Sequence, residues 1–168
     1  MSERSAAPGG LALVEALVNT LDIESGADAL DTADGRARFG LADGADDVVR
    51  ARELRESLRA ALLAHAGHPP HREVTPLGEL LAAAPLVLKV DEEDGSAALT
   101  AADGRPLLSR VAAAVAEALV EGTWQRLKAC EAATCHWAYY DRSPAGRGRW
   151  CSMQVCGARA KMRRYRAK

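Results

Sequence analysis

Apolar residues recur at helical spacing near the start of the chain. Val14, Leu17, Val18 and Leu21 mark one face of a first helix expected from Leu11 to Leu21. A second helix is expected from Ala45 to Ala66, with Val48, Ala51, Leu54, Leu58 and Leu62 inward. Its other positions, Arg50, Arg52, Glu53, Arg55, Glu56 and Arg59, mix both signs and read as a solvated face. The longest apolar pattern opens at Pro106, with Leu107, Leu108, Val111, Val115 and Leu119 inward, and Gly122 ends it. Between these helices the punctuation is clear. Residues 22–47 are acidic, with Asp34-Gly35 and Asp43-Gly44 as turn signals. Pro69 and Pro70 close the second helix; Thr75 then reads as an N-cap, with Pro76 the first residue of a short helix through Ala84. Leu86 to Val90 and Ser96 to Thr100 alternate as strands around a turn at Asp91 to Gly95. The first ten residues, rich in Ser, Ala, Pro and Gly, are expected to fray.

Composition sharpens this picture. The 168 residues are 48% hydrophobic, enough to bury a core, but only 4% aromatic. An apolar content dominated by Ala and Leu favours packed helices over a β-sandwich. No run approaches the roughly 20 apolar residues of a membrane helix, and Met1 to Gly10 lacks a secretory pattern. A cytoplasmic location without membrane contact is the expectation. The charge is divided: residues 1–121 carry 11 basic and 21 acidic side chains, a net of −10, whereas residues 122–168 carry 11 basic and 2 acidic, a net of +9. Such asymmetry implies two parts with different roles. We therefore expect a frayed 1–10, a mainly helical domain with a β-hairpin over 11–121, and a small basic domain over 122–168, an α+β chain.

The small domain holds all four cysteines. Cys130 and Cys135 are separated by four residues, as are Cys151 and Cys156, and fifteen residues lie between the pairs. Two close pairs one hairpin apart suit a tetrahedral zinc ion, and paired cysteines without a secretory signal favour metal over disulfides. Four thiolates close the coordination shell, so the expected ion is one structural Zn2+ with no open position for catalysis. The segment is too poor in aliphatics to fold alone, and metal binding supplies what its core lacks. Trp137, Tyr139, Tyr140 and Trp150 lie between the pairs; at least two are expected to cover the metal, while base stacking is the other use open to them. Asp141 and Ser143 are expected to fix the turn after them. His65, His68 and His71 are spaced by three, but intervening prolines argue against a shared ion. Asn19 and Asp22 either line a pocket between helices or bond the next loop. No catalytic triad, phosphate loop or zinc-protease motif is present, so no enzyme activity is expected.

The residues around the ligands, Cys130-Glu-Ala-Ala-Thr-Cys135, Trp137-Ala-Tyr-Tyr-Asp141-Arg-Ser143, Arg149-Trp150-Cys151-Ser152-Met153 and Cys156-Gly157-Ala158-Arg159-Ala160-Lys161, resemble the CGNR-type zinc finger. Residues 11–121, with the run Val18-Asn19-Thr20-Leu21-Asp22, are similar to the ABATE domain that precedes such fingers. The resemblance implies a helical domain followed by a treble-clef or zinc-ribbon-like finger ending in a basic helix. It further implies a stress-related bacterial transcription regulator whose finger binds DNA and whose first domain senses an unknown signal. Position 158 is Ala where the family motif has Asn. If that Asn caps the last helix, its loss costs about 1 kcal/mol; if it touches nucleic acid, a polar contact is gone.

The tail carries the binding argument. Arg159, Lys161, Arg163, Arg164, Arg166 and Lys168 fill six of the last ten positions, and Arg159, Arg163 and Arg166 align on one helical stripe. Arg149, with Arg142 and Arg147, lies in the loop between the cysteine pairs and can join that surface. The nucleic-acid contacts expected are Arg149, Arg159, Lys161, Arg163, Arg164 and Arg166, with DNA the favoured partner and RNA still open. Against this stands a small-molecule-binding protein whose finger serves only structure or assembly; a dithiol redox protein is a third reading, and a homodimer is open under any of them.

Overall fold

The computed structural model describes residues 5–41, 44–102 and 106–167. Six helices and two small antiparallel hairpins follow one another among them: α1 (Leu11–Val18), α2 (Ala33–Ala37), α3 (Ala45–His65), α4 (Leu77–Ala82), β1 (Leu86–Val90), β2 (Ala97–Ala101), α5 (Pro106–Val120), β3 (Leu127–Ala129), β4 (Ala138–Tyr140) and α6 (Ala158–Arg166). The apolar stripes of α1, α3 and α5 meet in one core, with Val14, Leu17, Leu58, Leu62 and Val111 fully buried. The β1–β2 hairpin runs in register from Leu86 opposite Ala101 to Val90 opposite Ala97, and β2 lies along α5. The β3–β4 hairpin pairs Leu127 with Tyr140 and Ala129 with Ala138, and packs on α3 and α1. Trp124, Leu127, Ala129 and Ala138 belong to the same core cluster as the helices. The basic segment is thus built onto the helical layer without an intervening gap in the core.

Several expectations shift in the structure. Helix α1 stops at Val18, and Leu21 instead bridges Asp28. Asp34-Gly35 is no turn but lies inside α2, where Thr32 caps the helix by accepting from the Gly35 N–H at 3.0 Å. Asp43 falls outside the described residues, and Gly44 is the extended residue before α3. Helix α4 begins one residue late: extended Pro76 precedes it, while Thr75 turns its hydroxyl to Glu53 at 2.6 Å. On α5, Leu119 is 59% exposed, and Ala114 and Ala118 take the inward positions beside Val111 and Val115. Residues 1–4 of the expected frayed segment lie outside the described residues; from Ser5 the chain lies on the fold, with Ala7 buried and its N–H donated to Glu15 at 2.6 Å.

The largest difference concerns α3. Arg55, Glu56 and Arg59, expected on a solvated face, are buried, Arg59 completely. The β3–β4 hairpin and the preceding loops cover that side of the helix. Burial of charge is tolerated because each group is paired. Glu56 accepts from Arg55 at 2.7 Å, Arg59 at 3.1 Å and His71 at 3.0 Å, and Arg55 also reaches Asp28 at 2.8 Å. Burial would raise the Glu56 pKa, but the His71 hydrogen bond and the two guanidinium groups hold it down at about 2.

Candidate metal centre

The cysteines occupy two structural corners. Cys130 follows β3 directly and Cys135 closes the tight turn before β4, while Cys151 precedes and Cys156 lies within the π-type turn Met153–Gly157 that opens into α6. Ser152 caps that turn by accepting from the Val155 N–H at 3.2 Å. A hairpin knuckle facing a helix start is a treble-clef arrangement. It brings the four sulfur atoms within 4.8 Å of one another. Cys135 to Cys151 is 3.5 Å and Cys151 to Cys156 is 3.7 Å. A tetrahedron of sulfurs at about 2.3 Å from zinc has edges of about 3.8 Å, so the set fits one ion. The same distances exceed the roughly 2.05 Å of a disulfide, and all four thiols are free.

The thiols perturb one another strongly at these distances. Hydrogen bonds from Cys135 and Cys151 pull the Cys130 thiol far down, helped by backbone N–H groups of Cys151 and Ala132. Cys135 and Cys151 are pushed up, chiefly by their contact with Cys130 and by burial. Four thiolates cannot share so small a space unless a metal replaces the thiol protons.

Of the aromatics between the cysteine pairs, Tyr139 is buried, Tyr140 packs against the main core and Trp150 packs beside the cysteines, whereas Trp137 is half exposed. Asp141 organises the loop beyond β4: it accepts from Lys128 at 3.0 Å and from the N–H groups of Ser143 at 3.0 Å and Gly148 at 2.7 Å. Burial would raise its pKa, yet these donors hold it below the usual carboxylate range. The three histidines turn to three separate partners. His65 bonds the Leu127 carbonyl at 2.8 Å, His68 faces Glu131 at 3.4 Å, and His71 serves Glu56. Asp22 accepts from the N–H groups of Glu24 and Ser25 in the next loop, but Asn19 does neither thing expected of it. Its amide donates to the Ala138 carbonyl at 3.0 Å and accepts from the Ala138 N–H at 2.7 Å, clamping β4.

The six basic residues expected to meet nucleic acid divide into two groups. Arg149 forms a two-pronged pair with Glu131, and Arg159 a two-pronged pair with Glu24 at 2.9 and 3.0 Å. Lys161, Arg163, Arg164 and Arg166 lie along α6, where the described residues place no carboxylate against them. Ala158 is exposed within the continuous helical run after Ser152, so a capping Asn has no role at that position. What sequence reasoning missed is Asn19 and Arg59, both of which reach the knuckle. Arg59 donates to the His136 carbonyl at 2.8 Å across 77 residues of chain. The only local signal was a polar residue on an apolar helix.

No helix among the described residues is long and apolar enough to cross a membrane. No curated protein matches the chain. Residues 126–168 match the CGNR zinc finger family, and with it the finger's four clustered cysteines and single structural zinc. Residues 11–122, two thirds of the chain, match a second family, described as "Putative stress-induced transcription regulator", so the chain belongs to the ABATE family, here joined to a CGNR zinc finger.

Proposed function

We propose that this protein is a zinc-dependent DNA-binding regulator in which Cys130, Cys135, Cys151 and Cys156 hold the ion and α6 docks on the phosphate backbone. The observation that carries the reading is the surface of α6: Lys161, Arg163, Arg164 and Arg166 stand on an exposed helix rooted in the metal centre, with no carboxylate paired to them among the described residues. A fixed cluster of cations attracts a polyanion, and the helical scaffold gives it a defined orientation. Zinc would fix the knuckle, the knuckle would aim α6, and the helical part would act as sensor or oligomerisation module. The test is binding of zinc-loaded full-length protein to labelled random duplex DNA, followed by fluorescence anisotropy. Affinity lost on replacing Arg163 and Arg164 by Ala supports the reading; no binding at low salt refutes it. RNA duplexes in the same titration decide between the nucleic acids.

A second reading, with the finger as a purely structural module, is favoured by one observation. The β3–β4 hairpin shares its core with α1 and α3. It would leave the ligand to the cleft of about 570 Å³ between α3, α4 and α5, floored by Leu41, Leu54, Leu80 and Leu107. That reading expects no salt-sensitive DNA affinity.

A further inference from the structure

The backbone next to the second ligand is strained. His136, directly after Cys135, has φ +44°, and among the described residues it is the one non-glycine in left-handed conformation. Such a residue costs on the order of 1–3 kcal/mol and persists only where its surroundings enforce it. Its own N–H donates to Ala132 at 3.1 Å, and its Nδ1–H donates to the Cys130 carbonyl at 2.9 Å. Those bonds lie within the knuckle. The third comes from outside: Arg59 of α3 donates to the His136 carbonyl. Two residues on, Asn19 at the end of α1 grips both the N–H and the carbonyl of Ala138.

Arg59 is itself rigid. Its second terminal nitrogen donates to the Val18 carbonyl at 2.8 Å and its Nε to Glu56, which Arg55 and His71 hold in turn. Val18 adjoins Asn19, so the two donors that fix the knuckle spring from one point where α1 meets α3. The segment 136–138 is thereby pinned at both ends by the helical part of the chain, and Cys135, the residue directly before it, carries a thiol of the cluster.

We propose that Arg59 and Asn19 are positioning residues of the zinc centre, setting the backbone that aims the Cys135 sulfur, so that zinc affinity is a joint property of helices α1 and α3 and the finger. The inference uses the four-cysteine assignment made above. Outer partners of metal ligands typically contribute roughly 10- to 100-fold in affinity. Coupling of this kind is reciprocal: a ligand that shifts α1 against α3 changes zinc affinity by the factor with which zinc changes that ligand's binding.

The experiment compares full-length wild type with Asn19→Ala, Arg59→Met and Ser57→Ala. Ser57 is a control on the same helix: buried, bonded to the Thr75 carbonyl at 2.7 Å and remote from the knuckle. Cobalt substitution reads ligand geometry through thiolate-to-metal absorption, and a chelating dye reads zinc affinity. A wild-type cobalt spectrum lacking four-thiolate intensity would overturn the ligand assignment itself, separately from the positioning role. With that spectrum in place, Asn19→Ala and Arg59→Met are expected to weaken zinc roughly 10- to 100-fold and to alter the cobalt bands. Arg59→Lys, which retains one donor, should recover part of the loss, and Ser57→Ala should bind zinc as wild type. Folded Asn19→Ala with wild-type affinity and spectrum overturns the proposal, as does equal zinc loss in Ser57→Ala. Should Arg59→Met not fold, Asn19→Ala decides alone.

Discussion

The DNA binding proposed above should have a salt dependence that distinguishes the arginines committed within the protein from those that are not. Each phosphate neutralised on a duplex contributes about −0.9 to the slope of log K against log salt. Counting all six expected contacts gives a slope of about −5.4, whereas counting Lys161, Arg163, Arg164 and Arg166 alone gives about −3.6. The second value follows from the structure, because Arg149 and Arg159 each face a carboxylate in two-pronged geometry. Between 50 and 200 mM salt a slope of about −3.6 corresponds to a roughly 150-fold fall in affinity. Replacing Arg163 and Arg164 by Ala should flatten the slope by about 1.8, while Arg149→Ala should leave it nearly unchanged. Glu24→Gln releases Arg159 from its partner and should steepen the slope by about 0.9. Anisotropy titrations of one random duplex at four or five salt concentrations measure all of these. Equal flattening by Arg149→Ala and Arg163→Ala, or a Glu24→Gln slope identical to wild type, would refute the division of the basic residues.

Three further outcomes are expected. Cys151→Ser should lose zinc and, because Leu127, Ala129 and Ala138 share the helical core, should lower a single thermal transition of the whole chain rather than melt the finger alone, as circular dichroism at helix and aromatic wavelengths will show. Glu56, held at about 2 in the folded chain against 4.5 unfolded, contributes roughly 3 kcal/mol that is fully present above pH 4.5 and is lost as pH falls through about 2. Urea unfolding across that window should show a decline that is smaller in Glu56→Gln by about that amount, the remainder coming from Asp141, Asp28 and Glu131, whose pKa values are lowered too. Gly35→Ala drives a Cβ into the Ala29 carbonyl, so the turn before α2 must move, at about 1–3 kcal/mol in chemical denaturation.

The legible parts of this protein are those whose physics is local. The spacing of Leu54, Leu58 and Leu62 fixed α3 to within a residue of its observed end, and the alternation around Asp91 to Gly95 located the β1–β2 hairpin. The cysteine spacing announced the metal centre because each pair must turn within one knuckle. Illegible was every contact that spans the chain. Arg55, Glu56 and Arg59 sit at helical spacings that suit a solvated face equally well, and only a hairpin some 70 residues later encloses them. The net charges of the two segments indicate two parts with different roles but not the specific pairs, Glu24 with Arg159 and His68 with Glu131, that join them.

Why a buried charge cluster rather than leucines at this junction is a question of geometry more than of energy. Replacing a buried ion network by apolar side chains of similar volume is often neutral or stabilising, so burial of Arg55, Glu56 and Arg59 is weak evidence for added stability. An apolar side chain at position 59, however, offers no donor to the carbonyls of Val18 and His136. Those two oxygens belong to different parts of the chain, and a planar guanidinium with several fixed N–H directions can hold both at once. A lysine supplies charge but not the fork. The cluster thus fixes one distance, from the end of α1 to the knuckle behind Cys135, and Glu56 exists in it to keep the guanidinium charged and aligned. An apolar triple replacement that folds as stably as wild type but binds zinc more weakly is the result this reasoning requires.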